Sequence, residues 1–117
     1  YKAFYLAIGC QGGRTAGVPG EDAAGIQTAV ALLRTVGGDE SHKMTGKTVV
    51  IGGGNVAIDA ARVALRCGSS DVTMVCLEPR EKMPASAEEI AEAEEEGTAI
   101  RCGYGPKEFL TKDGHVC

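Results

Sequence analysis

Paired cysteines are missing from this sequence. Cys10, Cys67, Cys76, Cys102 and Cys117 are widely spaced, and no Cys-x-x-Cys occurs. An odd number with no signal peptide argues against a disulfide framework, and unpaired spacing argues against a zinc or iron–sulfur site built from this chain alone. A redox-active dithiol is not expected either. Cys76 and Cys102 lie in apolar stretches, where a buried cysteine acts as a small hydrophobe. The expected compartment is a reducing cytoplasm. Missing too is any apolar run long enough to span a membrane. There is no basic stripe, and the net charge of -4 argues against nucleic-acid binding, which relies on cations to displace phosphate counterions. His42 and His115 stand in polar loops with no Ser, Cys or acid at catalytic spacing, so neither a catalytic residue nor a metal ligand is expected.

What the chain has in excess is glycine. Seventeen occur in 117 residues, nearly all between apolar segments rather than inside them, which is the punctuation of an α/β protein. The length suits one domain. The chain starts at Tyr1 and stops at Cys117 just after a turn signal, so both ends read as cuts through a longer polypeptide. Residues 3–9 form a continuous apolar run stopped by glycine, predicting a buried strand. Ile26, Ala29, Val30, Leu33 and Val36 recur at helical spacing, and Gly37-Gly38 should end that helix. Lys47 to Ile51 is β-branched and of strand length. Asn55 to Cys67 predicts a largely buried helix stopped by Gly68. Residues 72–77 give the next strand. Ser86 reads as an N-cap, with Glu89 at capping-box spacing. The helix it opens runs to Gly97 with six glutamates, read as a solvated face. Thr98 to Cys102 is a further strand, and 108–110 with 115–117 predict a small antiparallel hairpin about Lys112-Asp113-Gly114. The order β-α-β-α-β implies a parallel sheet with flanking helices.

Chemistry concentrates where the strand at 47–51 ends. It runs into Gly52-x-Gly54-x-x-Ala57, which opens a helix, and the following strand ends in Glu78. Each residue type has its own reason. Gly52 allows the tight turn, bare Gly54 lets a pyrophosphate approach the backbone, and Ala57 lets the helix pack close to the sheet. The N–H groups at Gly53, Asn55 and Val56, with the positive end of the helix, would face the diphosphate. Glu78 lies 24 residues beyond Gly54, near the usual spacing of about 20 for the acid that bonds the adenosine ribose. A glycine triplet alone is weak evidence. Strand, glycines, helix, strand and acid in order predict a Rossmann-like dinucleotide site.

The chain resembles the pyridine-nucleotide domain of FAD-dependent oxidoreductases related to the glutamate synthase small (beta) subunit. The resemblance rests on Ala7-Ile8-Gly9, on Val18 to Asp22, on Val50 to Arg62 with its Gly-Gly-Gly-Asn-Val-Ala core, and on Arg80 to Ala85. It implies that residues 1–22 are a strand and hinge from an FAD domain, and that 1–117 is one piece of a larger flavoenzyme. It implies further that NAD(P)H bound here feeds hydride to FAD held mostly outside this chain, whose main FAD-binding glycine motif is missing. Partners would be the FAD domain of the same polypeptide and an iron–sulfur electron-transfer segment or subunit. Asp59, one turn into the helix, would sit near nicotinamide and flavin by the same resemblance; otherwise it is a surface acid favoured by the helix dipole.

One departure bears on cofactor choice. Relatives that prefer NADP carry adjacent arginines at the positions of Leu77 and Glu78. A carboxylate there would repel a 2′-phosphate and accept hydrogen bonds from a free ribose diol. NAD is therefore favoured, with NADP as the alternative through Arg80. Met83-Pro84-Ala85 reads mainly as a hydrophobic plug and stop. Two other functions fit a lone domain of this kind: a stand-alone NAD(H)-binding regulator and an S-adenosylmethionine-dependent methyltransferase.

Overall fold

The computed structural model describes residues 2–5, 7, 12–39 and 41–117. A first helix, α1 (Ala29–Gly38), is capped by Thr28, whose Oγ1 accepts from the Ala31 amide at 3.2 Å. The helix therefore starts later than its apolar spacing suggests and carries Gly37 and Gly38 in its last turn. It ends where the Asp39 amide donates to the carbonyls of Thr35 and Val36.

Strand β1 (Lys47–Ile51) follows, then α2 (Asn55–Arg66), β2 (Asp71–Cys76), a 3-10 turn at Arg80–Lys82, α3 (Ala87–Glu95) and β3 (Ala99–Cys102). The sheet order is β1-β2-β3 with both pairings parallel, Lys47 level with Asp71 and Cys76 level with Cys102. Parallel neighbours cannot be joined by a tight hairpin, so α2 and α3 are the crossovers. Gly68, at φ +106°, releases the chain from α2 as its position predicts.

The core lies on one face of the sheet. Alternation along β2 turns Val72, Met74 and Cys76 inward, each 2% exposed or less. Against them α2 presents Ala57, Ile58, Ala60, Ala61 and Ala64, while Ile90 and Ala93 of α3 and Leu32 of α1 complete the cluster. Burying a side chain such as Ile58 or Met74 contributes roughly 1.5–3 kcal/mol, so the α2–β2 contact is a main source of stability. The alanines keep helix and sheet close. On the opposite face Val49 is 63% exposed and Ile51 41%.

The C-terminal hairpin is present, but its first strand lies at 111–112 and not at the expected 108–110, because the two-residue turn at Asp113-Gly114 brings the strands together at once: β4 (Thr111–Lys112) and β5 (His115–Val116) are antiparallel. Its two-residue turn has Asp113 at φ +52° and Gly114 at φ +79°, the left-handed pair that matches strand twist. The hairpin docks on the segment after Pro19: the Ala24 amide donates to Gly114 and the Val116 amide to Ala24.

The strand predicted at 3–9 is not seen at its described residues. Ala3, Phe4, Tyr5 and Ala7 belong to no strand and are exposed, while Leu6, Ile8 and Gly9 lie outside the described residues. An apolar run becomes a buried strand only beside a sheet edge and beneath a covering layer, and Ala3, Phe4, Tyr5 and Ala7 are exposed and pair with no strand. No helix among the described residues is long and apolar enough to cross a membrane.

Candidate functional site

At the carboxyl ends of the strands the chain opens a crevice of about 280 Å³, bounded by Ile51, Gly52 and Gly53 after β1, by Leu77 and Glu78 after β2, and by Tyr104 after β3. This is the ligand position of open α/β sheets. The glycines at its floor are there for different reasons. Gly52 has φ +136°, a conformation that side chains rarely adopt. Gly53 is buried, and a Cβ on it would lie 3.0 Å from Cys76 Cβ and 3.2 Å from Glu78 Oε2. Gly54 is the N-cap of α2 at φ -93° and ψ 172°, ordinary extended backbone, and a Cβ there would meet nothing within 4 Å. The chain's own packing explains the first two. It does not account for glycine at 54, and the space over that residue is open.

The start of α2 is open to that approach. No side chain caps it, and Asn55 and Val56 are exposed. An uncapped first turn keeps its amides and the positive end of the helix available to an anion. Ala57 is buried, and Gly52 lies close enough that a Cβ on it would touch Ala57 Cβ at 3.5 Å, the close helix–sheet approach its size predicts.

The turn is also braced from behind. The Ala85 amide donates to the Gly53 carbonyl at 3.0 Å, and the Ser86 amide to Asn55 Oδ1 at 3.2 Å. Only half of the expected capping box is therefore intrinsic to α3. Ser86 Oγ accepts from the Glu89 amide at 3.3 Å, but the return bond is taken by Asn55 instead of Glu89. Met83 and Ala85 are buried, so Met83-Pro84-Ala85 is the plug it was expected to be. Met83 Sδ accepts from the Cys102 thiol at 3.7 Å.

Glu78 is half-buried at the crevice wall, its carbonyl accepting from the Gly103 amide at 3.2 Å and the Cys76 thiol at 3.5 Å. Burial pushes the Cys76 thiol up to about 11, with the neighbouring Cys102 and the Glu78 charge adding to it. Leu77 is 73% exposed. Arg80 points its guanidinium at Glu94 of α3, and the pair holds Glu94 below the usual carboxylate range. Asp59 is exposed on α2, one turn beyond the crevice lining. The structure thus gathers Gly52, Gly53 and Glu78 at the crevice and sets Gly54, Asn55 and Val56 at the helix start beside it.

Sequence reasoning did not mark Tyr104, Pro106, Thr15 and Ala16, which also line the crevice. Tyr104 follows a strand's carboxyl end, and that rule alone would have found it. Thr15 and Ala16 carry no such signal. They arrive through a loop held by Glu21, whose carboxylate accepts from the amides of Ala16 and, at 2.9 Å, Gly17. The glutamates of α3 are not simply a solvated face: Glu92 and Glu96 pair with Arg62, and Glu96 also with Arg66. Among the described residues no group of three or more His, Cys, Asp or Glu side chains is placed to hold a metal ion.

The family described as "Pyridine nucleotide-disulphide oxidoreductase" matches residues 1–116. The chain belongs to that family. Among similar proteins, the NADP(+)-dependent formate dehydrogenase subunit beta of Moorella thermoacetica is 37% identical over 99% of this chain. The glutamate synthase [NADPH] small chain of Halomonas elongata is 34% identical over 97% of it. The chain spans only 17% and 26% of those two proteins. A crystal structure of an FAD-dependent pyridine nucleotide-disulphide oxidoreductase from Desulfovibrio vulgaris superposes on 89% of this chain with a TM-score of 0.66 at 19% identity, covering 28% of that protein. At that identity the likeness concerns the fold. This member of the pyridine nucleotide-disulphide oxidoreductases is thus related in sequence to the glutamate synthase small subunit, with a parallel three-stranded sheet, flanking helices and a small hairpin.

Proposed function

We propose that the chain binds NAD(H) or NADP(H) in the crevice at the strand ends, as the pyridine-nucleotide domain of a cytoplasmic FAD-dependent oxidoreductase. The observation that supports this reading is the open space over Gly54 at a helix start without a side-chain cap, where a diphosphate would approach bare backbone. When bound, the dinucleotide supplies a hydride to flavin, and that redox chemistry belongs to the cofactors. The chain's own part is to bind and orient. The amides at Gly53 to Val56 would receive the diphosphate, and Glu78 would accept from the ribose hydroxyls. Asp59 would lie toward the nicotinamide.

NAD(H) is the preferred cofactor in this reading. Glu78 presents a carboxylate where a 2′-phosphate would have to sit. The relatives cited carry NADP or NADPH in their names, and Leu77-Glu78 is where this chain departs from the paired arginines of NADP-preferring relatives. FAD would be held mostly by sequence outside this chain, with residues 1–22 as the connection and iron–sulfur carriers as onward partners. The free thiols of Cys67, Cys76, Cys102 and Cys117 suit a reducing compartment. Titration of the chain with NADH, NADPH and S-adenosylmethionine, read by thermal shift, tests the proposal. Stabilisation by NADH at one hundred times its dissociation constant should reach roughly 2.7 kcal/mol. Stabilisation by S-adenosylmethionine alone would replace the reading with a methyltransferase.

A further inference from the structure

Arg80 stands two residues beyond Glu78, where the 3-10 turn leaves the crevice rim. By position it is the natural cation for a phosphate at the ribose. The structure holds it elsewhere. Its Nη1 donates to Glu94 Oε1 at 2.5 Å and its Nη2 to Glu94 Oε2 at 2.6 Å, a two-pronged pair that uses the outer face of the guanidinium.

Glu94 is an odd residue for its place. It sits in the last turn of α3, which contains no basic residue, and a carboxylate there meets the negative end of the helix dipole. Both partners are partly exposed, at 46% and 39%, and exposed pairs stabilise folds little. Local helix energetics and fold stability both leave the pair without a strong reason. Arg80 and Glu78 both reach Cys76 electrostatically, in opposite directions, so the two charges share the end of β2.

We propose that Glu94 is a specificity-determining residue that acts through Arg80: by clamping the guanidinium in a bidentate pair, it withholds that cation from a 2′-phosphate and reinforces the NAD(H) preference begun by Glu78. This rests on the reading of the crevice as a dinucleotide site. Glu94 itself touches no cofactor; it positions the residue that would. Removing its charge frees Arg80 to swing toward the ribose, and only a cofactor bearing the extra phosphate gains from that.

Isothermal titration of the chain with NADH and NADPH tests this in four forms: wild type, Glu94→Gln, Arg80→Gln and the double variant. Glu94→Gln should raise affinity for NADPH relative to NADH by about two- to fivefold, the most that releasing an exposed pair can return. In the Arg80→Gln background the same change should leave the ratio where it was. Circular dichroism and melting confirm that each variant is folded, which an exposed pair allows. A ratio unmoved by Glu94→Gln, with NADH still bound, overturns the role of Glu94 and leaves the dinucleotide site standing. An equal shift without Arg80 also overturns it, because the carboxylate's own field would then be the cause. Failure of the wild type to bind either nucleotide overturns the site and this inference together.

Discussion

Gly54→Val tests whether this glycine serves a ligand, as proposed, while Gly52 and Gly53 serve the fold. The backbone there, at φ -93° and ψ 172°, accommodates any residue, and the space around a new Cβ is empty to 4 Å. The cost to the free protein is the poorer N-cap, no more than about 1 kcal/mol, or on the order of 4–6 °C in Tm. The two preceding glycines behave differently. Gly52→Ala forces a side chain onto φ +136°, costing roughly 1–3 kcal/mol. Gly53→Ala drives a methyl to 3.0 Å from Cys76 Cβ, costing a similar ~1–3 kcal/mol in overpacking. Melting curves with and without NADH read both effects at once. Gly54→Val should melt within a few degrees of wild type (about 4–6 °C) yet lose the nucleotide-induced shift, a fall in affinity of at least ~100-fold or about 2.7 kcal/mol. Gly52→Ala and Gly53→Ala should melt early. A Gly54→Val protein that retains the full NADH shift would refute the placement of the diphosphate over that residue.

Three further outcomes follow from the same structure. Replacing Leu77 and Glu78 together by arginine should move preference toward NADPH in competitive titration; a double variant that still rejects NADPH removes Glu78 as the ribose acid. Met74→Ala empties a fully buried site between sheet and α2 and should cost about 2–5 kcal/mol in urea denaturation; a loss under ~1 kcal/mol would mean the core collapses around it. The Cys76 thiol is raised from 9.0 to about 11, so its contribution is intact below about pH 9 and is lost as pH climbs through 11. Denaturation between those values should show a downward slope that Cys76→Ala lacks, and an identical slope in both proteins would place the effect elsewhere.

Local chemistry was enough to read much of this architecture. The β-branched run at 47–51, the glycines that stop it and the Ser86 cap each declare their role through neighbours a few residues away. The parallel order follows from the alternation of elements. What escaped reading depends on distance along the chain. Glu94 reaches back to Arg80 and Glu96 to Arg62, pairings that helical spacing cannot reveal. Asn55 takes the bond that local spacing assigned to Glu89, because α2 and α3 begin side by side. At Ala3, Phe4, Tyr5 and Ala7 the expected strand is absent for the opposite reason. The composition of 3–9 suits a buried strand, but composition cannot say which edge will receive it. The crevice was legible at Gly52, Gly53 and Glu78, which belong to a motif, and illegible at Thr15, whose position is set by a carboxylate six residues later.

The two bonds that tie Gly53 and Asn55 to Ala85 and Ser86 have a thermodynamic meaning. A loop free to rearrange would surrender entropy whenever an anion arrived, and affinity would fall accordingly. Here the turn is already held by those two bonds when the chain folds. If the proposed diphosphate binds there, the entropy of shaping its turn is spent once per molecule, not once per encounter.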